Sequence, residues 1–517
     1  MTEILSQITE QYSIIFFIRQ TIAIIILFLM GLFAVACIFS GKVQSDNTSN
    51  SKIEGKSGGI SVLYLFLLAF PVGLSIFTVT GIFLLSAGIK YAQITVILVN
   101  VLVLALIWLS FTKENGKETI RLLFDKKLVV YYVAAIIMVL VSVSGIVSIV
   151  YSNDSMYYYS AYPHEIVRSG YLLFQFDTFL TDAGQATAII NTIPFLFGFN
   201  EAFGIQCFFN INFILLFAYI IFEQASEQFE KKIAIGFSMI FTLLLITSMP
   251  FVFISKWIIS NMYFMELIFI IVFMNKRFID DNTSIYVRMI LMMALSFMRI
   301  EGAIFVGLVV LSYLWQDRTK KRDVALLVLP ATVLQAMYFI RIFVLMELHT
   351  TYMFMTKEKA IIAVAFLIVV LVYGLVYCDN SVLPVVKAKG KFLAPIPLTV
   401  CGLVLVNIAL FAYDRSKFIA QAKVFLGNLL KQSGWGYFVA VVFILILLMP
   451  KVKIGDMYYE LFCLGFVMLA FAACFARGGD MRVDLFDSSN RVLLQIVPLV
   501  IYTLTHRYIK SYSKTNS

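Results

Sequence analysis

From end to end, long apolar runs alternate with short charged breaks. The runs fall near 13–40, 62–88, 91–112, 129–151, 202–222, 234–255, 258–274, 285–298, 303–315, 325–347, 360–378, 395–413, 434–450, 457–475 and 491–505. Most last about 17–28 residues, the length of a helix that crosses a bilayer. A transmembrane β-barrel would instead show alternating segments of about 10 residues. A helix satisfies its own backbone hydrogen bonds in lipid. The pattern therefore predicts an all-α, polytopic transmembrane helical bundle of about 13–15 helices, with an outer-face loop carrying short interfacial helices.

Composition points the same way. Of 517 residues, 61% are apolar and only 14% charged, and mean hydropathy is +0.93. Soluble domains carry roughly 25% charged residues. The net charge of +10 lies mostly in short loops, so it reads as the inside bias of cytoplasmic loops, with no nucleic-acid partner. All six cysteines (37, 207, 378, 401, 463, 474) sit in apolar runs and no CxxC occurs, which implies neither disulfides nor metal. The first apolar run is too long for a signal core and has no clear cleavage site, so it is expected to remain as a helix.

Loop charges orient the spans. The basic breaks at 41–58, 113–127, 230–232, 275–277, 316–322, 387–391, 451–453 and 506–514 can all face the cytoplasm together. The breaks at 275–277 and 316–322 are then on one side, so residues 278–315 must go in and return. The turn falls at FMRIEGA (297–303), with Arg299 and Glu301 at its apex. The alternative is one long tilted helix with an internal Arg–Glu pair. This scheme puts the N-terminus outside, the C-terminus inside, and the loop 152–187 on the outer face of the plasma membrane. Three blocks follow: N-terminal helices 1–128, a core 129–413 with outer loop 152–201, and C-terminal helices 414–517 with an interfacial helix at 414–433.

That outer loop begins YSNDSMYYYSAYPHEIVRSGY (151–171). In helical register Asp154, Tyr158, Ala161, Glu165 and Arg168 share a face. Pro163 kinks or starts a helix, and Gly170 is a natural stop. A carboxylate beside apolar surface suits a general base, which makes Asp154 a candidate; an N-cap role is the plainer alternative. The tyrosines read as an interfacial belt more than as a sugar platform. The stretch AIINTIPFLFGFN (188–200) is too short and broken to span and is expected to lie along the membrane surface. Segment 413–435 is amphipathic, with Phe418, Ile419, Phe425, Leu426 and Leu430 on one face, the pattern of a helix in the interface. Arg477, Arg482 and Arg491 in the last outer loop suggest an anionic ligand, with snorkelling as the alternative.

Four patches, in order, carry a resemblance. NDSMYYYSAYPHEIVRSGYL resembles the first extracytoplasmic loop of GT-C-type membrane glycosyltransferases, such as protein mannosyltransferases and lipid A aminoarabinose transferases. INTIPFLFGFNEAFGIQCFFNI, FMRIEGAIF and SSNRVLLQIVPL are similar to three later patches of that family. Departures are a single carboxylate, Asp154, where the family commonly has an acidic pair, and three additional helices before the loop. The resemblance implies transfer of a sugar from a polyprenyl-phosphate donor to a glycan, lipid or protein acceptor of the cell envelope, with inversion. It implies Asp154 as general base, and Arg491, then Arg299 and Arg482, on the lipid phosphate. Glu165, His164, Arg168, Asp177 and Glu301 are assigned acceptor-binding or supporting roles. The single acid leaves a divalent metal open, because a neutralising arginine can do the same work. The competing readings are a transporter or flippase, for which Glu266 and Glu460 within spans speak, and a polymerase of lipid-linked envelope polysaccharide.

Overall fold

A computed structural model describes residues 14–39, 43–44, 60–112, 123–124, 126–143, 157–197, 203–348, 354–379, 394–431, 435–449, 457–477 and 488–515. Every apolar run is helical there. The long helices are α1 (Ile14–Ile38), α2 (Val62–Ser86), α3 (Gln93–Phe111) and α4 (Val129–Val143). Four short helices follow: α5 (Tyr162–Ser169), α6 (Asp177–Asp182), α7 (Gln185–Ile190) and α8 (Thr192–Leu196). Then come α9 (Phe203–Ser226), α10 (Lys231–Ile246), α11 (Met249–Ile254), α12 (Ser260–Arg277), α13 (Ser284–Met298), α14 (Gly302–Leu314), α15 (Lys321–Ile340) and α16 (Lys357–Tyr377). The last are α17 (Pro395–Tyr413), α18 (Arg415–Leu430), α19 (Phe438–Leu447), α20 (Tyr458–Arg477), α21 (Ser488–Leu494) and α22 (Val497–Thr515). The only strand pairing among the described residues is a two-residue bridge, Val43–Gln44 beside Ile60–Ser61.

The protein is therefore an all-α polytopic helical bundle. Nine helices among the described residues are long and apolar enough to cross a membrane. The remaining apolar runs form helices that are shorter or carry more charge, which is why the spanning count falls below the count of runs.

Burial separates inner from outer helices. In α2, 89% of the spanning window is buried, whereas in α3 and α17 the shares are 11% and 6%. All are equally oily, so the outer two present their apolar faces to lipid. The inner pair α1 and α2 cross with their backbones in contact. A Cβ on Gly31 would lie 1.7 Å from the Ala69 carbonyl oxygen, and one on Gly73 2.0 Å from that of Leu27. In lipid, where hydrophobicity does not favour one helix surface over another, such small-residue contacts let helices pack closely.

Residues 278–315 form a helical hairpin. Helices α13 and α14 are separate, with the break at residues 299–301. At the hairpin's base the two flanking turns are tied together: Arg318 pairs with Asp280 at 2.6 Å, and Lys320 donates to Asn282 at 2.8 Å. Arg288, fully buried near that base, donates to Asn275 Oδ1 at 3.0 Å and lies over the Tyr313 ring. Tyr313 in turn donates to Asp323 at 2.8 Å. Two short helices with a pinned base are thus found, and the single tilted helix is not.

At the base end, Arg277 pairs with Glu227 at 2.9 Å and Glu223 at 3.8 Å. Glu460, in the first turn of α20, pairs with Arg507 of α22. Glu266 differs: it is fully enclosed in the middle of α12.

Candidate functional site

The site residues lie at the apex end of the hairpin. Tyr157–Ala161 forms one π-turn that runs into α5. Pro163 sits in the first turn of α5, where its missing N–H costs nothing. Gly170 ends it with φ +81°, a left-handed cap. Both sequence signals act as expected, although the π-turn interrupts the regular register. Even so, Ala161 and Arg168 are exposed and Glu165 half-exposed, whereas Tyr158 packs partly against the core and Tyr159, Tyr162 and Ile166 are buried.

Two expectations for this region are corrected. Tyr159 and Tyr162 do not form a belt. The Tyr162 hydroxyl donates to Gln185 Oε1 at 3.0 Å, and that of Tyr159 lies 3.4 Å from Ser260 Oγ. Burial pushes the Tyr162 hydroxyl above the ordinary phenol range, so it stays protonated as a donor. Likewise, residues 188–196 do not lie along a surface. Helices α7 and α8 are enclosed, with Gln185, Thr187, Asn191 and Thr192 buried among α2 and α13. Tyr91, from the turn between α2 and α3, reaches under α8 and shares a 2.6 Å hydrogen bond with Thr192. Gln185 and Thr192, bonded within the bundle, show how part of so broken a segment is buried.

The hairpin apex meets this module directly. Arg299 Nη2 and Nε lie 2.6 and 2.7 Å from the same oxygen of Glu301, and both residues are almost fully buried. The end of α13 is held by Gln335, which donates to the Ser296 carbonyl at 2.8 Å. Against the apex stands Gly184, where a Cβ would lie 2.0 Å from the Met298 carbonyl oxygen. The neighbouring segment is clamped as well: Tyr338 donates to Leu180 O at 2.8 Å, and Asp182 accepts from the Phe354 amide at 2.6 Å.

The third patch arrives through α12 and α21. Asn261, beside Ser260, donates to the Arg491 carbonyl at 2.7 Å. Trp435 and Asn428 bond Asn490 and Ser489, fixing α21 to the amphipathic α18. Helix α18 buries Gln421, Phe425 and Asn428 while Ile419, Leu426 and Leu430 stay exposed. Its inner flank is narrower than the apolar face expected from the sequence, and the rest is available to lipid.

Other candidates fare differently. Glu165 pairs with Arg168 at 2.6 Å and lies 3.4 Å from His164 Nδ1, whose ring packs edge-on to Phe195. Asp177 opens α6; its side chain, like all of Asp154 and Arg482, lies outside the described residues. Sequence reasoning passed over Asp182, Gln185 and two cations. Lys90 and Arg341 both flank the α2–α3 turn, Arg341 with its guanidinium against Gly88 and Lys90 with its stem against Gly170. The only signal for Lys90 is a lone charge in a short turn between two spans. Among the described residues no group of three or more His, Cys, Asp or Glu could hold a metal ion.

No family model, curated protein or solved structure matches the chain.

Proposed function

We propose that the chain is a membrane glycosyltransferase of GT-C type, acting on the extracytoplasmic face of the plasma membrane. It moves a sugar from a polyprenyl-phosphate donor to a glycan, lipid or protein acceptor of the cell envelope. One observation carries the reading. The described parts of three patches that resemble this family, at 157–170, 299–301 and 488–494, are joined at one end of the bundle through Tyr159, Asn261, Gln185 and Gly184.

The chemistry uses few groups. Asp154 accepts the proton of the acceptor hydroxyl. The freed oxygen attacks the anomeric carbon, the bond from that carbon to the phosphate oxygen breaks, and the lipid phosphate leaves with the electron pair. Attack from the face opposite the leaving group inverts the centre. Arg491, Arg299 and Arg482 supply guanidinium groups for the phosphate charge. A divalent ion, where bound, would neutralise the same charge.

The test is Asp154→Asn in a cell-envelope sugar-transfer assay. Transfer is expected to fall about 100-fold or more at unchanged protein level, as for loss of a general base. Wild-type transfer would remove Asp154 from the chemistry. Transport of a lipid-linked sugar is the second reading, favoured by the enclosed Glu266. It predicts that Glu266→Gln abolishes sugar movement across the membrane while Asp154→Asn leaves it intact.

A further inference from the structure

A cavity of about 360 Å³ lies between α1, α3 and α8. Leu27 and Met30, Ile97 and Leu104, and Ile193 and Leu196 line it from the three helices. Its one mid-depth polar side chain is already satisfied: Asn100 donates to Val96 O at 2.8 Å and accepts from Thr80 at 3.1 Å. The space therefore suits hydrocarbon and offers nothing to a polar solute.

Two features say which hydrocarbon. The first is access. Helix α3, the cavity's outer wall, is 11% buried in its span, with Ile94, Leu98 and Leu102 exposed, so the opening faces the bilayer. From Gln93 to Leu104 the wall rises about 16 Å, close to half the roughly 30 Å hydrocarbon core and so about one leaflet deep. The second is charge in the turn that leads into this wall. Lys90 stands three residues before Gln93, exposed, with no ionic or hydrogen-bonding partner among the described residues. Arg341 flanks the same turn, and its buried Nε has no partner either. Nearby Arg168 and Glu165 neutralise each other, which leaves the turn cationic.

We propose that this cavity is a lipid site, in which one chain of a phosphate-bearing lipid lies between α1 and α3 with its phosphate at Lys90, beside Arg341. The inference does not depend on sugar transfer: the occupant is an anionic phospholipid of the leaflet.

The experiment is native mass spectrometry of the full-length protein with phosphatidylglycerol or phosphatidylcholine of identical chains. Wild type is expected to retain phosphatidylglycerol preferentially. Lys90→Ala is expected to weaken that retention about fivefold, the effect of one surface cation on an anionic lipid. Ile97→Trp, a rim substitution that fills the cavity, is expected to abolish retention of both lipids. Lys232→Ala, exposed in the first turn of α10, serves as control and is expected to match wild type. Equal retention of the two lipids by wild type, or wild-type retention by Lys90→Ala, overturns the headgroup assignment. Undiminished retention by a folded Ile97→Trp overturns the cavity.

Discussion

Gly184 and Met298 meet backbone to backbone: a single added methyl on the first would lie 2.0 Å from the carbonyl oxygen of the second. The short-helix module and the hairpin apex are therefore one unit, held at a spot where no side chain fits. Gly184→Ala is expected to force them apart and cost about 1–3 kcal/mol, as overpacking does. Thermal unfolding in detergent measures it. Gly236→Ala is the control, because a Cβ there meets nothing within 4 Å. Equal melting temperatures for the two variants would show that the contact is not kept.

The Arg299–Glu301 pair is almost fully buried. Removing one partner strands a charge, so Arg299→Ala or Glu301→Ala is expected to cost about 3–5 kcal/mol. Replacing both, as Arg299→Met with Glu301→Leu, is expected to restore most of that stability. If Arg299 also holds lipid phosphate, the double variant folds well yet transfers no sugar. Full transfer by the double variant would reduce Arg299 to a structural role.

Tyr162→Phe removes one buried hydroxyl and leaves the Gln185 carbonyl oxygen without its 3.0 Å donor. A loss of about 0.5–1.5 kcal/mol is expected, the net contribution of one hydrogen bond. Tyr171→Phe, on the exposed side of the same loop, should change melting little. Equal effects would mean the hydrogen bond adds nothing.

Asp414 caps α18, accepting from the Lys417 amide at 2.9 Å and the Ser416 hydroxyl at 2.9 Å. These donors hold its carboxyl below its ordinary value of 3.8. The sign follows: a depressed carboxyl contributes stability above 3.8, and that contribution disappears as pH falls through the lower, folded value. Amide exchange at residues 416–418, corrected for intrinsic rates, should therefore rise on acidification in wild type. In Asp414→Asn that pH response should be absent; if it persists, another group is responsible.

Much of this architecture was legible from hydropathy alone, because a membrane leaves the backbone little choice. Each apolar run is a helix, and loop charge alone locates the hairpin turn at residues 297–303. Pro163 and Gly170 marked the ends of α5 for local steric reasons. The burial of residues 185–196 was not legible. Its Gln and Thr residues look like surface polarity until their partners, Tyr162 for Gln185 and Tyr91 for Thr192, are in place. Lys90 was overlooked for the opposite reason: a lone lysine between two spans reads as ordinary snorkelling, and only the adjoining cavity gives it something to hold. Helix α18 fell between these cases, since periodicity found its apolar face but could not divide it between protein and lipid.

The hairpin has one more consequence. Helix α13, with 15 residues, is about 22 Å long, shorter than the hydrocarbon thickness of roughly 30 Å. An energised membrane drops its voltage across that distance. A lone guanidinium there would feel a force worth up to about 2.3 kcal/mol for each 100 mV traversed. Arg299 and Glu301, in ion-pair contact, carry no net charge together and feel almost none. The pair thus leaves the apex of this hairpin without net charge, and either single variant would leave one charge there exposed to the membrane field.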